Sequence, residues 1–163
     1  HTHSLFSDLD STPERSPDVK ERVLILCTGN SARSQMAEGL LRALADNQYD
    51  VFSAGSKPSS VNPFAIQAMR ERGIDISQQR SKHLNEFIKQ PFDYVITVCD
   101  VAAETCPIFP GRAQRIHWSF PDPAAVEGNE DVKLQAFRDT RDAIESRLKA
   151  WLVELSAPET VQN

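Results

Sequence analysis

The stretch from Val23 to Ser34, Val-Leu-Ile-Leu-Cys-Thr-Gly-Asn-Ser-Ala-Arg-Ser, constrains the fold of this chain more than any other. Val23, Leu24, Ile25 and Leu26 form the continuous apolar run of a parallel strand covered on both faces. Small and polar residues follow from Cys27. From Ser34 the spacing turns helical, with Met36, Ala37, Leu40, Leu41 and Leu44 on one face. The segment therefore reads as strand, tight loop and helix, with a cysteine ending the strand and an arginine opening the helix.

This order of residues suits one kind of chemistry. A short loop opening a helix aims several backbone N–H groups at one point, and the helix dipole adds positive potential there. Thr28, Gly29, Asn30, Ser31, Ala32, Arg33 and Ser34 are the candidate oxyanion-binding loop. Arg33 supplies a planar fork of donors suited to a tetrahedral oxyanion. Such a field favours the thiolate of a cysteine at its floor, and the Ser34 hydroxyl is placed to donate to that sulfur. A buried cysteine is often only a small hydrophobe. Here the strand before it and the amphipathic helix after it supply the context that makes Cys27 a candidate nucleophile.

The 163 residues suffice for one domain with a sizeable core. A net charge of −5 argues against nucleic acid as a partner, so an anionic substrate must be held by local charge. The apolar runs are too short to span a membrane, and no secretory leader is visible. Three cysteines without such a leader suggest a reducing cytoplasm and chemistry rather than structural disulfides. Residues 1–20 are expected to be a disordered extension, with His1-Thr2-His3 resembling a tag remnant, and 157–163 a flexible tail. The domain itself is expected over 21–156.

Within the domain, a helix is expected over about Ser34–Asp46 and a strand over Tyr49–Ala54, closed by Gly55. Asn62-Pro63 reads as a helix cap with proline at the first position, and Gly73 as the stop after Arg72. Phe64, Ala65, Ala68 and Met69 form that helix's inward stripe. Arg70, Arg72, Arg80 and Lys82 read as a solvated basic region, His83 as a surface or partly packed residue. A brief helix is expected near Asn85–Lys89, strands over Asp93–Val98 and Gln114–Trp118, and a long helix over Asp131–Leu155 with Phe137, Ile144, Leu148, Trp151 and Leu155 on one face. The alternation implies a single α/β domain: a central four-stranded parallel sheet with right-handed crossovers and helices on both faces. Ligands bind beyond the carboxyl ends of such strands. Cys27, Cys99 and Asp122 each follow a predicted strand, so all three are expected at that end.

The run Cys27-Thr-Gly-Asn-Ser-Ala-Arg-Ser-Gln-Met-Ala-Glu38 resembles the phosphate loop of the low-molecular-weight protein tyrosine phosphatase fold. More narrowly, the chain resembles the thioredoxin-coupled arsenate reductases built on that fold. The likeness runs from about Glu21 to Leu155 through Val51-Phe-Ser-Ala-Gly55, Val61-Asn-Pro63, Gly73-Ile-Asp-Ile-Ser77, Thr97-Val-Cys99, Cys106-Pro107 and His117-Trp118 to Asp122-Pro123.

That resemblance implies arsenate as substrate, with phosphate or sulfate as analogues. It implies attack by Cys27, oxyanion binding by Arg33 and the loop amides, and Asp122 as general acid. It further implies a Cys27–Cys99 disulfide, then a Cys99–Cys106 disulfide reduced by thioredoxin. Asp100–Thr105 is expected to be helical when reduced. Seven helical residues span about 10.5 Å, whereas a disulfide needs Cα atoms within about 7 Å. Closing Cys99–Cys106 is therefore expected to unwind this segment.

Some relatives bind potassium beside the loop. Asn30, Glu38 and Ser53 match that site, but Lys82 stands where an acidic ligand is usual and Arg80 also departs. No potassium site, no metal and no tightly bound cofactor are expected, with Lys82 pairing Glu38 instead. Ala32 stands where some relatives carry another cysteine. The chain is read as a monomer. Two other readings are a phosphatase, which Ala124 and Ala125 after Asp122-Pro123 disfavour because phosphatases of this fold commonly carry aromatic residues there, and a non-enzymatic redox or anion sensor. Glutathione with glutaredoxin is the alternative reductant, and mycothiol with mycoredoxin serves other relatives.

Overall fold

The computed structural model describes residues 19–157. The expected N-terminal extension up to residue 18 and the tail from residue 158 lie outside the described residues. The elements run β1 (Glu21–Cys27), α1 (Arg33–Ala45), β2 (Tyr49–Gly55), α2 (Pro63–Arg70), β3 (Tyr94–Thr97), β4 (Gln114–His117) and α3 (Glu130–Ser156), with 3-10 turns at Leu84–Phe87 and Pro123–Ala125. The four strands are parallel in the order β2-β1-β3-β4.

The apolar run in β1 is explained by its position, since the strand is paired on both sides and buried on both faces. Side-chain alternation splits it between two cores. Val23 and Ile25 pack with Met36, Leu40 and Leu41 of α1, Ala65, Ala68 and Met69 of α2, and Phe137, Ile144, Leu148 and Trp151 of α3. Leu24 and Leu26 pack with Leu84, Phe87, Phe92 and Phe109. Helical structure thus covers both faces, but unequally. All three α-helices share one face, while a 3-10 turn and loops cover the other. Short segments suffice there because Phe52, Phe87, Phe92 and Phe109 meet at ring-centroid distances of 5.5–6.0 Å and supply the bulk that a longer helix would otherwise bring.

Local signals set the element ends. The Asn62 side chain accepts from Phe64 N–H at 2.8 Å, with Pro63 at the first helical position. Helix α2 ends at Arg70 rather than Arg72, because the N–H groups of Gly73 and Ile74 turn back onto Arg70 and Met69, with Gly73 at φ 74°. The helix expected near Asn85–Lys89 is the 3-10 turn Leu84–Phe87, capped by His83 Nδ1 accepting from Asn85 N–H at 3.0 Å. Leu44 and Leu155, expected to face inward, are exposed. Ala45 takes the buried position in the last turn of α1, and Trp151 is the last buried residue of α3.

Candidate active site

The sheet brings the strand ends together as its parallel order requires. Leu26 is opposite Thr97 across β1 and β3, and Val98 N–H donates to the Leu26 carbonyl at 2.9 Å. Cys27 and Cys99 therefore leave adjacent strands at neighbouring levels. Trp118 N–H donates to the Thr97 carbonyl, so the chain leaves β4 at the same end and continues to Asp122.

The loop between β1 and α1 is held from outside by its carbonyls. Those of Thr28, Gly29 and Ser31 accept from the N–H groups of Lys57, Ser59 and Asn62, the Gly29 carbonyl also accepts from Ser81 Oγ, and the Asn30 carbonyl accepts from Gln35 Nε2. In a trans peptide the N–H points away from the C=O of the same unit. The amides of Gly29, Asn30, Ser31 and Ala32 consequently face away from these anchors. Ala32 at the N-cap of α1 makes no side-chain cap, and the first turn holds no acidic residue. The helix terminus is thus left electropositive.

Two residues make this turn possible. Asn30 sits at φ 47°, a left-handed conformation that asparagine adopts more readily than most residues. Gly55 ends β2 beside Cys27, where a Cβ would lie 2.5 Å from the Thr28 carbonyl oxygen, 2.8 Å from that of Cys27 and 2.9 Å from Asn30 N. Only glycine fits, and nothing in the local sequence distinguishes this role from an ordinary strand stop.

Cys27 is buried at the loop floor, with its Sγ 2.9 Å from Ser34 Oγ. Ser34 Oγ accepts from Asn30 Nδ2 at 2.8 Å, and that same amide nitrogen donates to Ser53 Oγ at 2.9 Å. Ser53 donates onward to Glu38, which pairs with Arg42 at 2.8 Å. A buried polar chain therefore links the serine beside Cys27 to a carboxylate on α1, and each link fixes the next.

Arg33 is 4% exposed and donates to the Phe120 carbonyl at 3.0 Å. Its guanidinium also grips Glu104: both terminal nitrogens donate to that carboxylate. Thr28 Oγ1 adds a bond at 2.8 Å and Asp100 N–H another at 2.9 Å. Burial pushes the Glu104 carboxyl up, but the bonds from Arg33, Asp100 and Thr28 outweigh it and hold the group at about 2. Burial lowers the Arg33 pKa, yet the facing Glu104, Cys27 and Asp122 raise it overall. The partly exposed Asp122 has Oδ2 4.0 Å from Arg33 and Oδ1 accepting from Ala124 N–H at 3.0 Å. The sequence reading missed Glu104, which lies in a segment that looks merely helix-forming.

Cys99 and Cys106 are joined as a disulfide with Cα atoms 6.0 Å apart, and Cys27 is a free thiol. With the ring closed, residues 101–103 form turns rather than a helix, closed by bonds from Ala103 and Glu104 N–H to the Asp100 carbonyl. Cys99 is buried and Cys106 half-buried.

Lys82 departs from expectation. It does not pair with Glu38, whose ion pair is with Arg42; its Nζ donates to the Arg80 carbonyl at 2.7 Å. Helix α1 carries Arg42 one turn after Glu38, the favourable i,i+4 order, so the carboxylate is taken locally. Lys82 still feels the Glu38 charge, although burial lowers its pKa overall. No cluster of three or more His, Cys, Asp or Glu suited to a metal ion occurs among the described residues. None of their helices is long and apolar enough to cross a membrane.

Comparison with known proteins agrees with this geometry. Residues 22–161 match the family "Low molecular weight phosphotyrosine protein phosphatase". The arsenate reductase of Halalkalibacterium halodurans is 46% identical over 132 residues, covering 81% of this chain and 95% of that protein. A solved arsenate reductase in its oxidized state superposes with a TM-score of 0.70 at 32% identity, covering 83% of this chain and 99% of the other. The thioredoxin-dependent arsenate reductase of Corynebacterium glutamicum gives a TM-score of 0.59 at 29% identity, covering 85% of this chain and 64% of the other.

Proposed function

The chain belongs to the low molecular weight phosphotyrosine protein phosphatase family, and we propose that within it the protein is an arsenate reductase working through Cys27, Cys99 and Cys106. The observation that carries this reading is the cysteine pairing. Cys99 and Cys106 are bonded to each other while Cys27, in the anion loop, keeps a free thiol. That is the state in which a three-cysteine relay would end.

In this reading the loop amides and the Arg33 fork hold arsenate with its arsenic facing the Cys27 sulfur. The thiolate displaces one oxygen, and Asp122 delivers the proton that lets it leave as water. Cys99 then attacks the Cys27 sulfur. The sulfur–arsenic bond breaks with its electron pair on arsenic, which departs as arsenite while Cys27–Cys99 forms. Cys106 attacks Cys99, Cys27 leaves as a thiolate, and the two electrons given to arsenic remain owed by Cys99–Cys106. A dithiol repays them by thiol–disulfide exchange.

Thioredoxin suits an intramolecular disulfide, and the Corynebacterium glutamicum neighbour is thioredoxin-dependent. We therefore assign thioredoxin as reductant, a cytoplasmic setting that keeps all three thiols available, and a monomer as the working unit. Potassium has no role in this proposal. The Lys82 ammonium, bonded to the Arg80 carbonyl close to Glu38, supplies a tethered positive charge there.

The test is arsenate-dependent NADPH oxidation with thioredoxin and thioredoxin reductase, run beside glutathione with glutaredoxin, for wild type and Cys106→Ser. Turnover with thioredoxin that disappears in the variant supports the relay. Turnover only with glutathione and glutaredoxin overturns the reductant. No arsenate turnover, with brisk phosphate ester hydrolysis, overturns the reaction in favour of a phosphatase.

A further inference from the structure

The contacts of Glu104 point beyond the relay. Its carboxylate is bonded by both terminal nitrogens of Arg33, by Thr28 Oγ1 and by Asp100 N–H. Two of these partners belong to the loop that cups the oxyanion. A planar carboxylate bonded by two guanidinium nitrogens uses the donors that a tetrahedral oxyanion would need, and it brings the same sign of charge. Arg33 is buried, and Asp122 approaches it only to 4.0 Å. Glu104 is therefore the closest acidic partner of the guanidinium.

The second observation is where Glu104 sits. It lies inside the ring closed by Cys99–Cys106, two residues before Cys106. Its side chain folds back onto Asp100 N–H while its own N–H bonds the Asp100 carbonyl. With Cα atoms 6.0 Å apart at the bridge, the turn that aims Glu104 at Arg33 is braced at both ends. An extended helix over the same residues would hold those ends about 10.5 Å apart, so opening the bridge frees the segment to re-aim its carboxylate.

We propose that Glu104 is an internal competitor for the oxyanion site, installed when Cys99–Cys106 closes and withdrawn when a dithiol reopens it. The oxidised protein cannot reduce arsenate, because its electrons are spent. Filling the Arg33 fork from within keeps substrate off until they are restored. This rests on the oxyanion reading of the loop and adds a residue that sets when the loop binds. A plain ion pair with no such role would lower anion affinity equally in both redox states.

The test is calorimetric titration of inorganic phosphate, in buffer free of other oxyanions, into oxidised wild type, Glu104→Gln and Glu104→Ala. It is repeated after two-electron reduction of the disulfide with dithiothreitol. The expected result is at least tenfold tighter phosphate binding by both oxidised variants than by oxidised wild type. Reduction should tighten wild type by a similar factor and bring all three proteins within threefold. Equal affinities among the oxidised proteins would overturn the proposal. So would a variant advantage that survives reduction unchanged, or a wild-type affinity indifferent to redox state, which needs no variant to measure. No phosphate binding in any form would overturn the oxyanion reading and this proposal with it. Failure of arsenate turnover alone, with the phosphate pattern intact, would remove the reductase assignment and leave the competitor standing.

Discussion

The Ser34 hydroxyl lies 2.9 Å from the Cys27 sulfur while its oxygen accepts from Asn30 Nδ2 at 2.8 Å. When Cys27 is a thiolate only Ser34 can donate along that line, and Asn30 orients the hydroxyl to do so. The Cys27 sulfur is therefore backed by a chain of buried side chains that runs through Ser34 and Asn30 to Ser53.

Ser34→Ala removes the donor and leaves Asn30 short of an acceptor. A hydrogen bond to a charged group is worth roughly 1.5–3 kcal/mol. Alkylation of Cys27 by iodoacetamide at pH 7 should slow by about tenfold or more. The oxidised protein is the right sample, since Cys27 is then its free thiol. Ser34→Thr should recover most of the rate. Unchanged alkylation in the alanine variant would remove Ser34 from the activation of Cys27.

Asp122→Asn keeps the shape of the site mouth but cannot deliver a proton. Arsenate turnover should fall by about 10²–10⁴-fold, the usual worth of a general acid, while phosphate still binds. Loss of phosphate binding in parallel with turnover would assign Asp122 to positioning instead.

Gly55→Ala forces a Cβ against three backbone atoms of the loop. Because backbone cannot rotate aside, a cost of about 1–3 kcal/mol is expected in urea unfolding, with weakened phosphate binding. Gly29→Ala meets its nearest neighbour at 3.7 Å and should cost less. Equal destabilisation by the two changes would contradict the packing described for Gly55.

Glu104 gives a pH prediction with a definite sign. Its folded value of about 2 lies below the ordinary 4.5, so its contribution to stability is full above pH 4.5 and drains away as pH falls toward 2. Unfolding of oxidised wild type and Glu104→Gln, compared from pH 6 to pH 2.5, should show a wild-type advantage that shrinks with acid. Taking the difference cancels the other carboxyls held low by arginines, such as Glu71 and Asp142. A pH-independent gap would mean that the Arg33 bonds do not depend on the Glu104 charge.

Potassium should do nothing specific. Replacing sodium chloride by potassium chloride at equal ionic strength should leave the melting temperature unchanged to within about 1 °C, which is well under 1 kcal/mol for a domain of this size. A potassium-specific rise would show that Lys82 does not substitute for a cation beside Glu38.

Much of this was readable in advance where the signal was local. The capping pair Asn62-Pro63 and the change from strand to helical period across Cys27 and Ser34 are written in neighbouring residues, and α1, α2 and β1 follow them to within a residue or two. An outcome that depends on what packs alongside leaves no such local trace. Lys82 was expected to pair with Glu38, yet Arg42, one turn away on the same helix, holds that carboxylate. Leu44 and Leu155 fit an apolar period but stay exposed, because Ala45 takes the buried place in the last turn of α1 and the buried face of α3 ends at Trp151.

By itself, the sequence determined the parallel α/β order, the tight turn from strand to helix after Cys27 and the meeting of Cys27, Cys99 and Asp122 at one end of the sheet. Strand and helix periods are short-range properties, and parallel pairing then forces the strand ends together. Only the tertiary structure decided that Gly55 must lack a Cβ, that the three α-helices share one face, and that Glu104 reaches back across 71 positions to Arg33. Those facts depend on which surfaces meet after the sheet has formed, and steric fit and charge pairing at such distances leave no periodic trace in the chain.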